Sequence, residues 1–85
     1  MYQIQVKKSA AKELYALPKQ AVKKVSAAID ALANNPRPVG SIKLEGYKET
    51  LQRIRVGDYR IIYSIDDSVK ILEVRRIGHR KDIYS

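Results

Sequence analysis

The chain has 85 residues with 17 Lys or Arg, nine Asp or Glu, one His and no Cys, giving a formal charge of +8 and a pI near 9.9. That length supports one thin core, so residues 1–85 are expected to form a single domain, and the missing Cys and lone His exclude a disulfide framework and argue against a metal site or metal cofactor. No apolar run approaches the roughly 18 residues of a membrane span and residues 1–6 lack a signal-peptide core, so a soluble cytoplasmic protein without membrane contact is expected, its excess positive charge calling for nucleic acid or an acidic protein as partner.

Residues 2–7 alternate, with Tyr2, Ile4 and Val6 on one side and Gln3, Gln5 and Lys7 on the other. This predicts a half-buried strand. Ser9 is the expected N-cap of a short helix through about Leu17, with Ala10, Leu14 and Leu17 turned inward. Pro18 suits the first turn of a second helix, where its missing N–H costs nothing. That helix is predicted to run to about Asn34. Ala21, Val22, Val25, Ala28, Ile29 and Leu32 form its apolar stripe, and Lys19, Lys23, Lys24 and Asp30 lie off the stripe as a solvated face. The run Asn34-Asn35-Pro36-Arg37-Pro38 stops it. Residues 39–50 read as a loop with a short extended piece at Ile42, Lys43 and Leu44 and a turn at Gly46-Tyr47. Tyr47 suits packing and base stacking equally.

Residues 51–65 are the centre of the pattern. Two alternating runs rich in β-branched and aromatic residues flank Gly57-Asp58, and Gly at the first turn position marks a two-residue type II′ hairpin. That turn pairs Val56 with Tyr59, Arg55 with Arg60, Ile54 with Ile61 and Arg53 with Ile62. Cross-strand partners share a face. Ile54, Val56, Tyr59 and Ile61 therefore make an apolar face, and Arg53, Arg55 and Arg60 share the opposite one. Asp66-Asp67-Ser68 reads as a second turn, and residues 69–77 as a further strand with Leu72 and Val74 on the core side and Arg75 on the arginine side. Gly78 is expected to end it, leaving residues 79–85 as a short tail. The predicted fold is α+β in the order β-α-α-β-β-β: an antiparallel-rich sheet with two helices packed on one face and charged groups on the other.

Stability gives no reason to place Arg55 opposite Arg60, because like charges in that position repel. A cluster of guanidinium groups on a rigid sheet is what phosphate binding requires. RNA can be cut without metal when its 2′-OH attacks the adjacent phosphorus, leaving a 2′,3′-cyclic phosphate and a 5′-OH. That reaction needs an acceptor for the 2′ proton, cations on the non-bridging oxygens and a proton donor for the leaving oxygen. Arg53, Arg55, Arg60 and Arg80 supply the cations. His79 is the one imidazole of the chain, the side-chain type suited to proton transfer near neutral pH. Tyr84 suits stacking on a base or donation to a phosphate oxygen.

Arg53-Ile-Arg55-Val-Gly-Asp-Tyr59-Arg60-Ile-Ile-Tyr63, the preceding Lys43-Leu-Glu-Gly46 and the ending Arg76-Ile-Gly78-His79-Arg80-Lys81-Asp82-Ile-Tyr84 together resemble the RelE family of type II toxins, within the RelE/ParE superfamily. The resemblance spans nearly the whole chain. It implies a toxin that enters the ribosomal A site and cleaves the mRNA codon there. It also implies a cognate antitoxin that wraps the toxin surface and carries any contact with operator DNA. Residue by residue, Arg53 and Arg55 fall where RelE has two active-site lysines, Arg60 and Arg80 match active-site arginines, and Tyr84 matches the C-terminal active-site tyrosine. Lysine can surrender a proton in a crowded basic site; arginine, with a pKa above about 12, cannot. The lysine base implied by the family therefore has no counterpart here. Either His79 transfers the proton, or catalysis rests on substrate orientation and phosphate stabilisation with ribosomal RNA groups contributing. The same fold also serves ParE-like inhibitors of DNA gyrase, which need no arginine cluster, and a non-catalytic basic binding module is the third reading.

Overall fold

The hairpin predicted around Gly57-Asp58 forms the middle of the sheet. In the computed structural model, which describes residues 1–79, β1 (Gln3–Val6), α1 (Lys8–Tyr15), α2 (Lys19–Leu32), β2 (Ile42–Leu44), β3 (Leu51–Val56), β4 (Tyr59–Asp66) and β5 (Ile71–His79) follow one another. The five strands form one sheet in the order β1-β5-β4-β3-β2. Every neighbouring pair is antiparallel except β1 and β5, which run parallel. The β3–β4 register is the predicted one: Val56 opposite Tyr59, Arg55 opposite Arg60, Ile54 opposite Ile61 and Arg53 opposite Ile62. Gly57 adopts φ +61° while Asp58 keeps a negative φ, the type II′ combination. The extended piece at residues 42–44 pairs with β3 and becomes the fifth strand of the sheet.

The helices cover one face. Ala10 and Leu14 of α1 and Val25, Ile29 and Leu32 of α2 pack with Ile54, Ile61, Tyr63, Ile65, Leu72, Val74 and Ile77 of the sheet. Leu17 and Val22 pack half-buried at the margin. All four helix boundaries differ from expectation, α1 closing at Tyr15 rather than about Leu17. Lys7, not Ser9, holds the N-cap position of α1, with no side-chain capping bond, and Ser9 lies inside the helix. Pro18 sits at the N-cap of α2 rather than in its first turn, and the helix closes at Leu32 with Ala33 as C-cap. Lys7 and Pro18 both take extended backbone (ψ 143° and 150°), so chain direction, without a side-chain cap, sets where each helix starts.

The last strand departs further. Ile62 lies opposite Arg76 and Tyr63 opposite Val74, so Arg75 is an extra residue, a β-bulge. The bulge reverses the side-chain alternation beyond it. Strict alternation from Leu72 would send Ile77 to the arginine face; it is instead a fully buried core residue. Gly78 does not end the strand, which continues to His79 opposite Tyr59. Where β1 has ended, α1 lies along this stretch of β5. The Glu13 carboxylate accepts a hydrogen bond from the Ile77 backbone N–H at 3.0 Å and pairs with Arg76 Nε at 3.3 Å. The open edge is thereby covered and its donor satisfied.

Tyr63 ties the sheet to the segment after α2. Its ring is fully buried and its hydroxyl donates to the Pro36 carbonyl at 2.7 Å. Burial pushes its ionisation up to about 12. A raised folded value stabilises the fold below the unfolded value near 10, and that stabilisation is lost as pH rises through the folded value. Tyr63→Phe should lower stability at neutral pH by about 1 kcal/mol through loss of the hydrogen bond. Denaturant titrations should show this gap closing, then reversing, between pH 10 and about 12. A constant gap across that window would show that the hydroxyl is not buried as described.

Candidate active site

Strand pairing arranges the face opposite the helices in rows. Nearest the hairpin tip, Arg55 of β3, Arg60 of β4 and Gly78 of β5 lie side by side. The next row holds Arg53, Ile62 and Arg76, the last paired with Glu13 of α1, and the third Leu51, Ser64 and Glu73. Alternate residues on a strand are about 7 Å apart, so Arg53, Arg55 and Arg60 occupy two adjacent rows of a rigid surface. Arg55 is exposed and Arg53 half-buried, while Arg60 retains 5% of its accessible surface. Gly78, the β5 neighbour of Arg60, adds no side chain to that flank. Arg60 Nε is buried and has no hydrogen-bond partner among the described residues. A buried donor of this kind is costly unless an acceptor engages it.

Arg75 was expected with this cluster, and the bulge does set it over the same face, but in company. Its Nη2 lies 2.8 Å from Glu49 Oε1, and its Nε pairs with Glu73. The Arg75 guanidinium holds the Glu49 carboxyl below its usual range. The pair is therefore intact at neutral pH and weakens only as pH falls through that lowered value. Sequence reasoning did not single out Glu49 or Glu73. Glu73 stands two residues from Arg75, a spacing that hints at a pair, whereas nothing local signals Glu49.

His79 stands elsewhere. It pairs with Tyr59 across β4–β5, and their rings meet edge to face at 5.9 Å and 87°. Tyr59 packs against the core. Partners share a face, so His79 belongs to the helix-covered side at the tip end of the sheet, one residue beyond the row of Arg55 and Arg60. The structure thus brings Arg53, Arg55 and Arg60 together and sets His79 around the end of the sheet from them. Arg80 and Tyr84 lie outside the described residues.

A family model described as the ParE toxin of the type II toxin-antitoxin system, parDE, matches residues 4–84. A toxin RelE of Mycobacterium tuberculosis is 34% identical over 84 residues, covering 98% of this chain and 86% of that protein. Among solved structures, RelE in the archaeal RelE–RelB complex from Pyrococcus horikoshii superposes with a TM-score of 0.84 and 33% identity over 95% of this chain and 97% of that one. The isolated E. coli RelE toxin has a TM-score of 0.80 over 99% of this chain and 92% of that one; at 22% identity this likeness speaks for the fold alone.

The row geometry predicts an anion site that needs no nucleotide. Inorganic pyrophosphate at ten times its Kd should stabilise the protein by about 1.4 kcal/mol, roughly 6–11 °C in Tm for a chain of this length. Arg60→Gln and Arg53→Gln should each abolish most of that shift. A shift that survives both substitutions would place the anion elsewhere.

Proposed function

Since the chain belongs to the RelE family of type II toxins, we propose that it is a metal-independent endoribonuclease that cuts mRNA in the ribosomal A site, arrests translation and is neutralised by a cognate antitoxin. The observation that carries this reading is the convergence of Arg53, Arg55 and Arg60 on one rigid face, with Arg60 buried and its Nε unpartnered among the described residues. The solved Pyrococcus horikoshii relative is a complex of RelE with RelB, which supports an antitoxin partner here. Operator DNA would then be reached only through that antitoxin.

In the proposed reaction the ribose 2′-oxygen bonds to the adjacent phosphorus, and the bond from phosphorus to the 5′-oxygen breaks. The 2′ proton leaves to a base, and the 5′-oxygen gains a proton. Negative charge builds on the non-bridging oxygens of the phosphorane, where Arg55 and Arg60 stand ready without reorganisation. Arg53 holds the neighbouring phosphate. Arg80, by its match to the family, joins the phosphorane contacts, and Tyr84 orients the nucleotide. For proton transfer, the pairing of His79 with Tyr59 turns the imidazole from the arginine face. That favours catalysis by orientation and charge stabilisation, with ribosomal groups completing the proton path, over His79 as base.

The family model that matches is named for ParE, which sustains a second reading, gyrase inhibition without nuclease activity. The arginine rows weigh against it, since that activity has no use for a phosphate clamp.

Purified protein added to cell-free translation should produce cuts within codons, seen by primer extension, only on translated message. Arg60→Ala should lower the cleavage rate by about 10²–10³, the usual effect of losing one contact to transition-state charge. Arg53→Lys should retain most activity if that position serves as a point charge, and His79→Ala should change the rate little. Intact message together with inhibited DNA supercoiling by gyrase would replace this reading with the ParE-like one.

A further inference from the structure

The face that carries the arginines changes sign along its strands. Beyond the rows of Arg55, Arg60 and Arg53, an open cleft of about 460 Å³ is lined by Glu49, Ser64, Asp66, Asp67, Glu73 and Arg75. Each of these carboxylates is already engaged within the chain. Glu49 and Glu73 hold Arg75. Asp66 accepts hydrogen bonds from the backbone N–H groups of Ser68 and Val69 and from the Ser68 hydroxyl. Asp67 accepts from Tyr2 and from Arg37. The cleft is therefore not a cation site. It is a stretch of negative potential that begins one row, about 7 Å along the strands, beyond that of Arg53, with Glu73 two strands, about 10 Å, to the side.

Arg75 stands at the junction. The bulge sets it between the row of Arg53 and the row of Glu73, where a further phosphate of a bound strand would lie. We propose that Glu49 and Glu73, by holding Arg75, close the phosphate track at Arg53 and so limit the RNA on this face to the few nucleotides spanned by Arg53, Arg55 and Arg60. A phosphate arriving at Arg75 must displace two carboxylates that the fold keeps in place, and those carboxylates repel it. Glu49 and Glu73 are specificity-determining residues in this account: they set how many nucleotides the face holds and take no part in the chemistry. The inference rests on the reading of the arginine face as an RNA site.

The test measures binding of 2′-O-methyl RNA oligonucleotides of graded length, which cannot be cleaved, across a salt series. Four proteins are compared: wild type, Arg60→Gln, Glu49→Gln/Glu73→Gln, and that double variant with Arg75→Gln added. Wild-type affinity should stop rising at about three nucleotides, whose two internucleotide phosphates are the one shared by Arg55 and Arg60 and the one held by Arg53. The double variant should keep gaining affinity with length, and its log K against log salt slope should steepen by about 0.7, the increment for one more phosphate neutralised on a single strand. Adding Arg75→Gln should return the wild-type slope, which mere loosening of the fold would not do. Both carboxylates are partly exposed, with 55% and 32% of the side-chain surface of Glu49 and Glu73 accessible. Should the double variant fail to fold, Glu49→Gln alone gives the same steepening in smaller measure. Identical length dependence and slope in wild type and double variant would overturn the proposal, as would a steepened slope that survives Arg75→Gln. Binding unaffected by Arg60→Gln at every length would overturn the arginine-face reading itself, an outcome distinct from the other two.

Discussion

Arg55 and Arg60 face each other directly across β3 and β4, and the rest of the molecule holds them there against their repulsion. The pairing follows from register. Gly57, at φ +61°, closes a two-residue turn whose twist suits the flanking strands. On the other face of the same hairpin, Ile54 lies opposite Ile61 and Val56 opposite Tyr59, all packed in or against the core beneath the helices. A one-residue slip would exchange the two faces, exposing isoleucines and burying arginines. Hydrophobic burial on one side thus fixes charge on the other. The helices thereby position the arginine face.

The bulge at Arg75 is the second determinant. A regular β5 would carry Ile77 to the charged face. The extra residue returns Ile77 to the core and sends two consecutive arginines to different partners, Arg75 to Glu49 and Glu73, and Arg76 to Glu13 on α1. The basic run at residues 75 and 76 is therefore not a continuous phosphate-binding strip. Its charges are spent within the fold, on the rim of the face and along the β5 edge. Among the described residues, the cations this face offers an anion lie toward the tip end, beside Gly78. The +8 charge of the chain overstates the cationic surface of the proposed site.

Much of this was legible before the structure. The hairpin, its turn type and the separation of arginines from isoleucines follow from strict alternation around Gly57-Asp58, because a period of two with one buried face admits one register. The stripe from Val25 to Leu32 gave the inner face of α2 for the same reason at helical period. The bulge left no such mark. Residues 69–75 alternate cleanly, and nothing in Arg75-Arg76 announces that one of them is extra. Tertiary packing of Ile77 decided it. Hence the strand end at Gly78 and the company of Arg75 were both misread. The N-cap at Ser9 failed because extended backbone at Lys7 starts the helix two residues earlier without a capping side chain. The Glu49–Arg75 bridge joins residues 26 apart in sequence, a distance over which local pattern carries no information. His79 stood out only as the one imidazole of the chain, a signal that carries no position; the strand reaches it and pairs it with Tyr59 on the helix-covered side.

On the proposed reading, this face stabilises a phosphate under attack by its own ribose. The decisive measurement is the chemistry of the ends left on message cleaved in translating extract. A 2′,3′-cyclic phosphate on the upstream fragment and a 5′-hydroxyl on the downstream one are expected. An upstream 3′-hydroxyl with a downstream 5′-phosphate would mean that water, not the 2′-oxygen, is the nucleophile, and would contradict it.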